Sequence, residues 1–166
     1  PDYLLRIPTF PFALRMALTI AIAAEVYRRL GVQSGYWIPM TALLVQKPAF
    51  SETFTRAFLR IGGTIAGAVL STVFLVHIHP NPFYLAALAA FFAFWSYATN
   101  AVNYGLYTLF LTSYIVFLLS LNKLPGPVIA YRRAYCTIGG GVIALIIHLD
   151  AIRRLRRRER AASLQA

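Results

Sequence analysis

The chain has 166 residues, 59% of them hydrophobic and only 13% charged, with a formal net charge of +11; a soluble domain carries about twice that charged fraction. From Ile61 to Asn122 there is no Asp, Glu, Lys or Arg, enough for three membrane crossings at about 20 apolar residues each, which excludes an ordinary soluble core. The single Cys136 excludes an internal disulfide.

Six apolar segments follow in chain order. The first is FALRMALTIAIAAEVYRRL, 12–30, with Arg15 one turn inside it and Glu25 near its end. Glu25 has two readings. It is either a proton carrier, since burial raises a carboxylate's pKa, or the partner of Arg28 and Arg29 at i+3 and i+4. The second segment, YWIPMTALLVQ, 36–46, is short, contains Pro39 and is closed by Pro48. A proline inside a span frees backbone carbonyls, so Thr41 and Gln46 are expected to line a cavity there. The third begins as an amphipathic turn near Glu52 and crosses over 56–78, ending at HPNP, 79–82. His77 and His79 stand two apart and therefore on different helix faces, so no metal site is expected. The fourth, 83–101, and the fifth, 105–121, flank a polar break at Asn100, Asn103 and Tyr104, read as a loop. The sixth, about 129–149, runs into RRLRRRER, 153–160. Next to an apolar span, that basic run is expected to sit against anionic lipid headgroups rather than nucleic acid.

Aromatic residues gather near segment ends, as at Tyr36-Trp37 and Phe83-Tyr84, in keeping with an interfacial belt. Counting Lys and Arg on the two sides of six spans puts the larger number with the chain ends, including Arg6 and the tail. Both termini are therefore predicted to be cytoplasmic.

RAFLRIGGTIAGAV, 56–69, can be laid over RAYCTIGGGVIALI, 133–146. Arg56, Ala57, Ile61, Gly62 and Gly63 match Arg133, Ala134, Ile138, Gly139 and Gly140. The match joins the third and sixth spans, which enter from opposite faces, as inverted repeats do. The predicted fold is all-α, a polytopic membrane protein of six transmembrane helices built as two inverted three-helix repeats. The transmembrane domain is assigned to 1–150. Residues 151–166 are read as a basic cytoplasmic tail or the start of a linker to a missing domain, the chain being taken as part of something longer.

On a helix, Arg56, Arg60, Gly63, Gly67 and Ser71 fall along one stripe, as do Arg133, Thr137, Gly140 or Gly141, Ala144 and His148. Small residues let membrane helices approach closely, so Gly62, Gly63, Gly67, Gly139, Gly140 and Gly141 are the expected packing positions. An arginine in a span faces a partner or a wet cavity, or snorkels to headgroups. Small-residue stripes below each arginine favour the first, with positive mouths at both membrane faces. There is no nucleophile–base pair, phosphate-cradling loop or carboxylate pair, so neither an enzyme nor a cofactor is expected.

Gly35-Tyr36-Trp37, Thr41, Pro48, Thr53, Arg56, Arg60, Gly62-Gly63-Thr64 and Gly67 in this order, with Ala13-Leu14-Arg15 ahead of them, resemble the fusaric-acid-resistance (FUSC) family of bacterial inner-membrane proteins. That family includes aromatic acid exporters, and plant aluminium-activated malate transporters look like distant relatives. The resemblance implies a six-helix domain, commonly accompanied by a second membrane half or another copy and by a cytoplasmic helical domain. It also implies export of organic anions such as aromatic carboxylates, with a passive anion channel or a non-transporting anchor as alternatives. On that basis Arg56, Arg60, Arg133, Arg132, Arg15, Tyr36, Trp37 and Thr41 are the candidate substrate contacts. Lys47 departs from the pattern, an uncharged residue being usual before Pro48.

Overall fold

The computed structural model of the chain describes residues 10–31, 33–78 and 81–163, the last ten as backbone only. Arg6, Val32, His79 and Pro80 lie outside the described residues, as do the tail side chains beyond Arg153. The described residues form six helices and no strand: α1 (Phe10–Leu30), α2 (Trp37–Val45), α3 (Phe50–Ile78), α4 (Pro82–Thr99), α5 (Tyr104–Leu121) and α6 (Gly126–Ser163). Five of them are long and apolar enough to cross a membrane. The chain is therefore an all-α, multi-pass membrane protein in contact with the bilayer.

The second segment departs from a full helical span. α2 has nine residues, about 13.5 Å at 1.5 Å per residue, against a hydrocarbon core of about 30 Å. Pro39 does not break it. It stands in the first turn, where its missing N–H has no helical partner to lose. The helix ends instead at Gln46, which is extended at φ −68 and ψ 132, and Lys47-Pro48 continue outside helix. This unwound stretch is held from two sides. Arg15 on α1 donates to the carbonyls of Lys47 (3.0 Å) and Pro48 (3.5 Å). The Lys47 N–H donates to Thr53 Oγ1 at 2.9 Å, which ties the stretch to the first turn of α3.

Turn chemistry sets the other boundaries. Asn81 caps α4, its side chain accepting from the Tyr84 N–H, with Pro82 in the first turn. Asn103 caps α5, accepting from Gly105 and Leu106. Gly31 takes φ +58 at the end of α1, a left-handed conformation that glycine adopts without steric cost. α6 runs without interruption past position 150 to Ser163. The basic run is therefore helical and continuous with the last membrane helix as far as Ser163.

α3 and α6 pack antiparallel at the centre. Ala68 meets Ala130 in one buried cluster, and a Cβ on Gly141 would sit 3.0 Å from Ile61 Cδ1. α5 packs on α3 and α2 packs on α6. α4 pairs with α5, and α1 with α2, on the two outer sides. Phe92, Phe110 and Phe117 fill the α4–α5 side with rings 5.4–5.8 Å apart.

Glycine marks the closest approaches. A Cβ on Gly67 would lie 2.4 Å from the Leu109 carbonyl oxygen, and one on Gly140 would lie 2.4 Å from that of Ile38. Gly63 stands equally tight against Gly105 and Thr108. Gly62 and Gly139 correct the expectation for the paired glycines: no atom comes within 4 Å of where their Cβ would be. They fall one residue off the packed stripe, about 100° around a helix of 3.6 residues per turn.

Candidate functional site

The middle of the bundle is polar. Thr19, Thr41, Gln46, Thr53, Arg60, Thr64, Thr108, Thr112, Ser113, Arg133, Thr137 and His148 are all buried. Arg60 and Arg133 are each 1% exposed and are the largest fully buried side chains described. They stand close enough to repel one another electrostatically. Among the described residues no carboxylate is buried. Taking an ion out of water costs several kcal/mol even after relaxation, so two buried guanidiniums without an acid call for another source of negative charge or for water.

Their donors are only partly used. Arg133 Nε donates to Thr112 Oγ1 at 3.2 Å, and its guanidinium lies over the Trp37 ring, 4.2 Å from the centroid. Arg133 Nη1, Arg60 Nε and Arg60 Nη1 have no partner, and neither do the hydroxyls of Thr41 and Thr64 or Gln46 Oε1. The sequence placed positive mouths at the two faces. The structure buries Arg60 and Arg133 inside the bundle, within electrostatic reach of one another, and leaves Arg56 and Arg132 half-buried near opposite ends.

Two cavities open at opposite ends of the bundle, and neither is lined by Arg60 or Arg133. One, of about 510 Å³, is lined by Gln33 and Ser34 of the α1–α2 junction, Trp37, Leu124 and Pro125 of the α5–α6 junction, and Arg132. The other, of about 480 Å³, is lined by Lys47, Ser51, Glu52, Arg56 and Leu59 around the α2–α3 junction, and by Tyr104 at the start of α5. Arg56 lies over the Tyr104 ring at 4.6 Å. Tyr104 packs on Tyr107 with tilted rings 5.7 Å apart, and Tyr107 is itself within electrostatic reach of Arg133. Tyr36 packs on Trp37 with tilted rings 5.0 Å apart but is otherwise 53% exposed.

Two expected site residues are engaged elsewhere. Arg15, besides holding the Lys47 and Pro48 carbonyls, places Nη1 3.1 Å from His148 Nε2 and lies over the Phe12 ring. It braces backbone and lines neither cavity. Glu25 pairs with Arg28 and with Arg29, both at 2.7 Å, the carboxylate partly exposed and both arginines exposed at the end of α1. The i+3, i+4 ion-pair reading therefore replaces the proton carrier.

The two halves repeat their contacts. Arg56 stands seven residues before Gly63, and Arg133 seven before Gly140. Gly63 packs on the Gly105 carbonyl and on Thr108, as Gly140 packs on the Ile38 carbonyl and on Thr41. Tyr104 and Trp37 are each one residue before that carbonyl, and each carries the matching arginine. α2 and α5 are therefore counterparts at a displacement of 67 residues, ten shorter than the 77 that relates α3 and α6. The ungapped sequence match missed them for this reason, and Tyr104 and Thr108 with them. Arg60 has no counterpart, Thr137 occupying the matching position.

With this geometry in hand, the chain can be set beside known proteins. A family model described as fusaric acid resistance protein-like matches residues 18–147. The chain belongs to this family. Five of its helices are long and apolar enough to cross a membrane, as a membrane domain of this family requires. Similar proteins include one from Synechocystis sp., 28% identical over 92% of this chain and 20% of its own length. One from Neisseria gonorrhoeae is 33% identical over 44% of this chain and 18% of its own length. One from Haemophilus influenzae is 28% identical over 63% and 14%. The chain thus spans about a fifth or less of the relatives it matches. No solved structure matches it.

Proposed function

We propose that this domain carries organic anions, aromatic carboxylates first among them, across the membrane, with Arg60 and Arg133 as the central anion site. One observation carries the reading: two guanidiniums are each fully buried with unpartnered donors and no buried carboxylate among the described residues. A carboxylate can take two parallel hydrogen bonds from a guanidinium fork. Trp37 supplies a ring face to Arg133, with Tyr36 packed on Trp37, while Tyr104 and Tyr107 put ring faces along the way in from the Arg56 side. Arg132 on one side and Lys47 with Arg56 on the other draw anions into the cavities.

The two cavities share no lining residue, which favours a carrier over a passive channel built from the same groups. The unpartnered buried polar atoms favour either over an anchor, whose helices would pack dry. The direction is taken as export across a bacterial inner membrane with both chain ends cytoplasmic, following the family and the Lys/Arg asymmetry. A second membrane half or a second copy completes the assembly, in keeping with relatives about five times longer.

The test is uptake of a radiolabelled aromatic acid into inverted vesicles carrying Arg60→Ala or Arg60→Lys. Removing one partner of a desolvated charge contact costs 2–5 kcal/mol, so Arg60→Ala is expected to lower apparent affinity or flux at least about 30-fold. Arg60→Lys keeps the charge without the fork and falls between. Unchanged uptake by a well-expressed Arg60→Ala protein removes the site. Anion currents in a planar bilayer that need no conformational cycle move the reading to the channel.

A further inference from the structure

We infer that Trp37 and Tyr104 are a repeat-related pair of gates, each closing one end of the anion path by holding an arginine against its ring. The inference rests on the path proposed above and adds the elements that shut it.

Each cavity ends on such a contact. The cavity at the α1–α2 junction is lined by Trp37, whose ring carries Arg133, and Arg133 itself does not line that cavity. The cavity at the α2–α3 junction reaches Tyr104 and Arg56. The two contacts are the same construction used twice. In both, the arginine is seven residues before a glycine that packs on the backbone of the helix bearing the ring. In both, the ring precedes by one residue the carbonyl on which that glycine rests. No general need of membrane packing puts an aromatic side chain under an arginine at both of these equivalent points.

The two contacts are found in unlike states. Arg56 is half-buried and lines its own cavity. Arg133 is 1% exposed, is further held by Thr112, and does not line the cavity that stops at Trp37. One end is thus open as far as its arginine and the other is shut in front of it. Inverted repeats that exchange conformations between their halves produce this asymmetry. A guanidinium–ring contact suits a latch. It holds the cation in a desolvated place, yet it is weaker than the charge-assisted double hydrogen bond a carboxylate offers. An arriving anion takes the arginine from the ring, and its departure returns it.

The experiment places a reporter cysteine at Thr64, one turn beyond Arg60 and buried with an unpartnered hydroxyl, in a Cys136→Ala background. A membrane-impermeant anionic methanethiosulfonate reagent is applied to right-side-out and to inverted vesicles. With both rings present, labelling is slow from the Trp37 side. Trp37→Ala is expected to speed it at least tenfold from that side alone, and Tyr104→Ala from the opposite side alone. Trp37→Phe and Tyr104→Phe, which keep a ring and spare the fold, give smaller increases. Labelling unchanged by either alanine variant, or raised equally from both sides, overturns the gates. Side-specific labelling together with aromatic-acid uptake indifferent to Arg60 keeps the gates and removes the proposed cargo site instead.

Discussion

Arg15 Nη1 lies 3.1 Å from His148 Nε2, joining the first helix to the last. A guanidinium only donates, so Nε2 accepts and the imidazole proton stands on Nδ1, which is buried without a partner. The same arginine reaches the carbonyls of Lys47 and Pro48 with its other nitrogen. One side chain therefore ties α1, α6 and the unwound end of α2 together at the edge of the polar compartment.

Arg15→Ala should accordingly destabilise the domain more than a surface arginine does. Hydrogen bonds to charged groups contribute about 1.5–3 kcal/mol each. Losing the Lys47 contact and the weaker His148 and Pro48 contacts is expected to cost about 2–4 kcal/mol. Thermal unfolding of the detergent-solubilised protein reads this as a lowered Tm, and limited proteolysis should show a new cut near 46–49. Arg15→Lys should recover part of the loss. A Tm equal to that of Arg28→Ala would show that the brace contributes nothing.

Much of this arrangement was legible beforehand, for physical reasons. Long apolar runs and the uncharged stretch from Ile61 to Asn122 can only be membrane helices, and the third, fourth and fifth segments appear within a few residues of expectation. The stripe logic brought Arg56, Arg60, Gly63, Gly67 and Ser71 to one face, of which Arg60, Gly67 and Ser71 are buried and Arg56 and Gly63 half-buried. Three things were hidden. The depth of Arg133 depends on which neighbour faces it, and helical periodicity carries no such information. Gln46 looked like the last residue of a helix, yet the hydrogen bonds that unwind it come from Arg15 and Thr53, distant in sequence. Tyr104 read as loop because α5 begins there, and its partnership with Arg56 follows only once α5 is seen as the counterpart of α2.

Two neighbouring glycines should respond in opposite ways to the same substitution. Gly67→Ala drives a methyl against the Leu109 carbonyl oxygen, which is backbone and cannot swing aside. Such overpacking typically costs about 1–3 kcal/mol. Gly62→Ala meets nothing within 4 Å, and replacing glycine inside a helix gains about 0.5–1 kcal/mol. Comparing the Tm of the two variants under identical detergent conditions checks the pair. A stable Gly67→Ala protein would mean that α3 and α5 do not approach each other as closely as described.

The charges at the cavity mouths should act on encounter, and the buried arginine on binding. Arg132 lines one cavity and Lys47 the other, both partly exposed, so their fields reach incoming anions through water and are screened over about 8 Å at physiological ionic strength. Arg132→Gln is therefore expected to slow anion entry from the α1–α2 side by about two- to tenfold at low salt, since steering acts on association rates. Lys47→Gln should do the same from the other side. Raising salt to about 0.5 M should bring each variant level with the unmodified protein, because screening removes what the substitution removed. Arg60 sits where salt does not penetrate, so the defect of Arg60→Gln should persist. Initial uptake rates measured against ionic strength from both vesicle orientations separate the two classes. A salt-insensitive Arg132→Gln defect would place that side chain in the binding step rather than at the entrance.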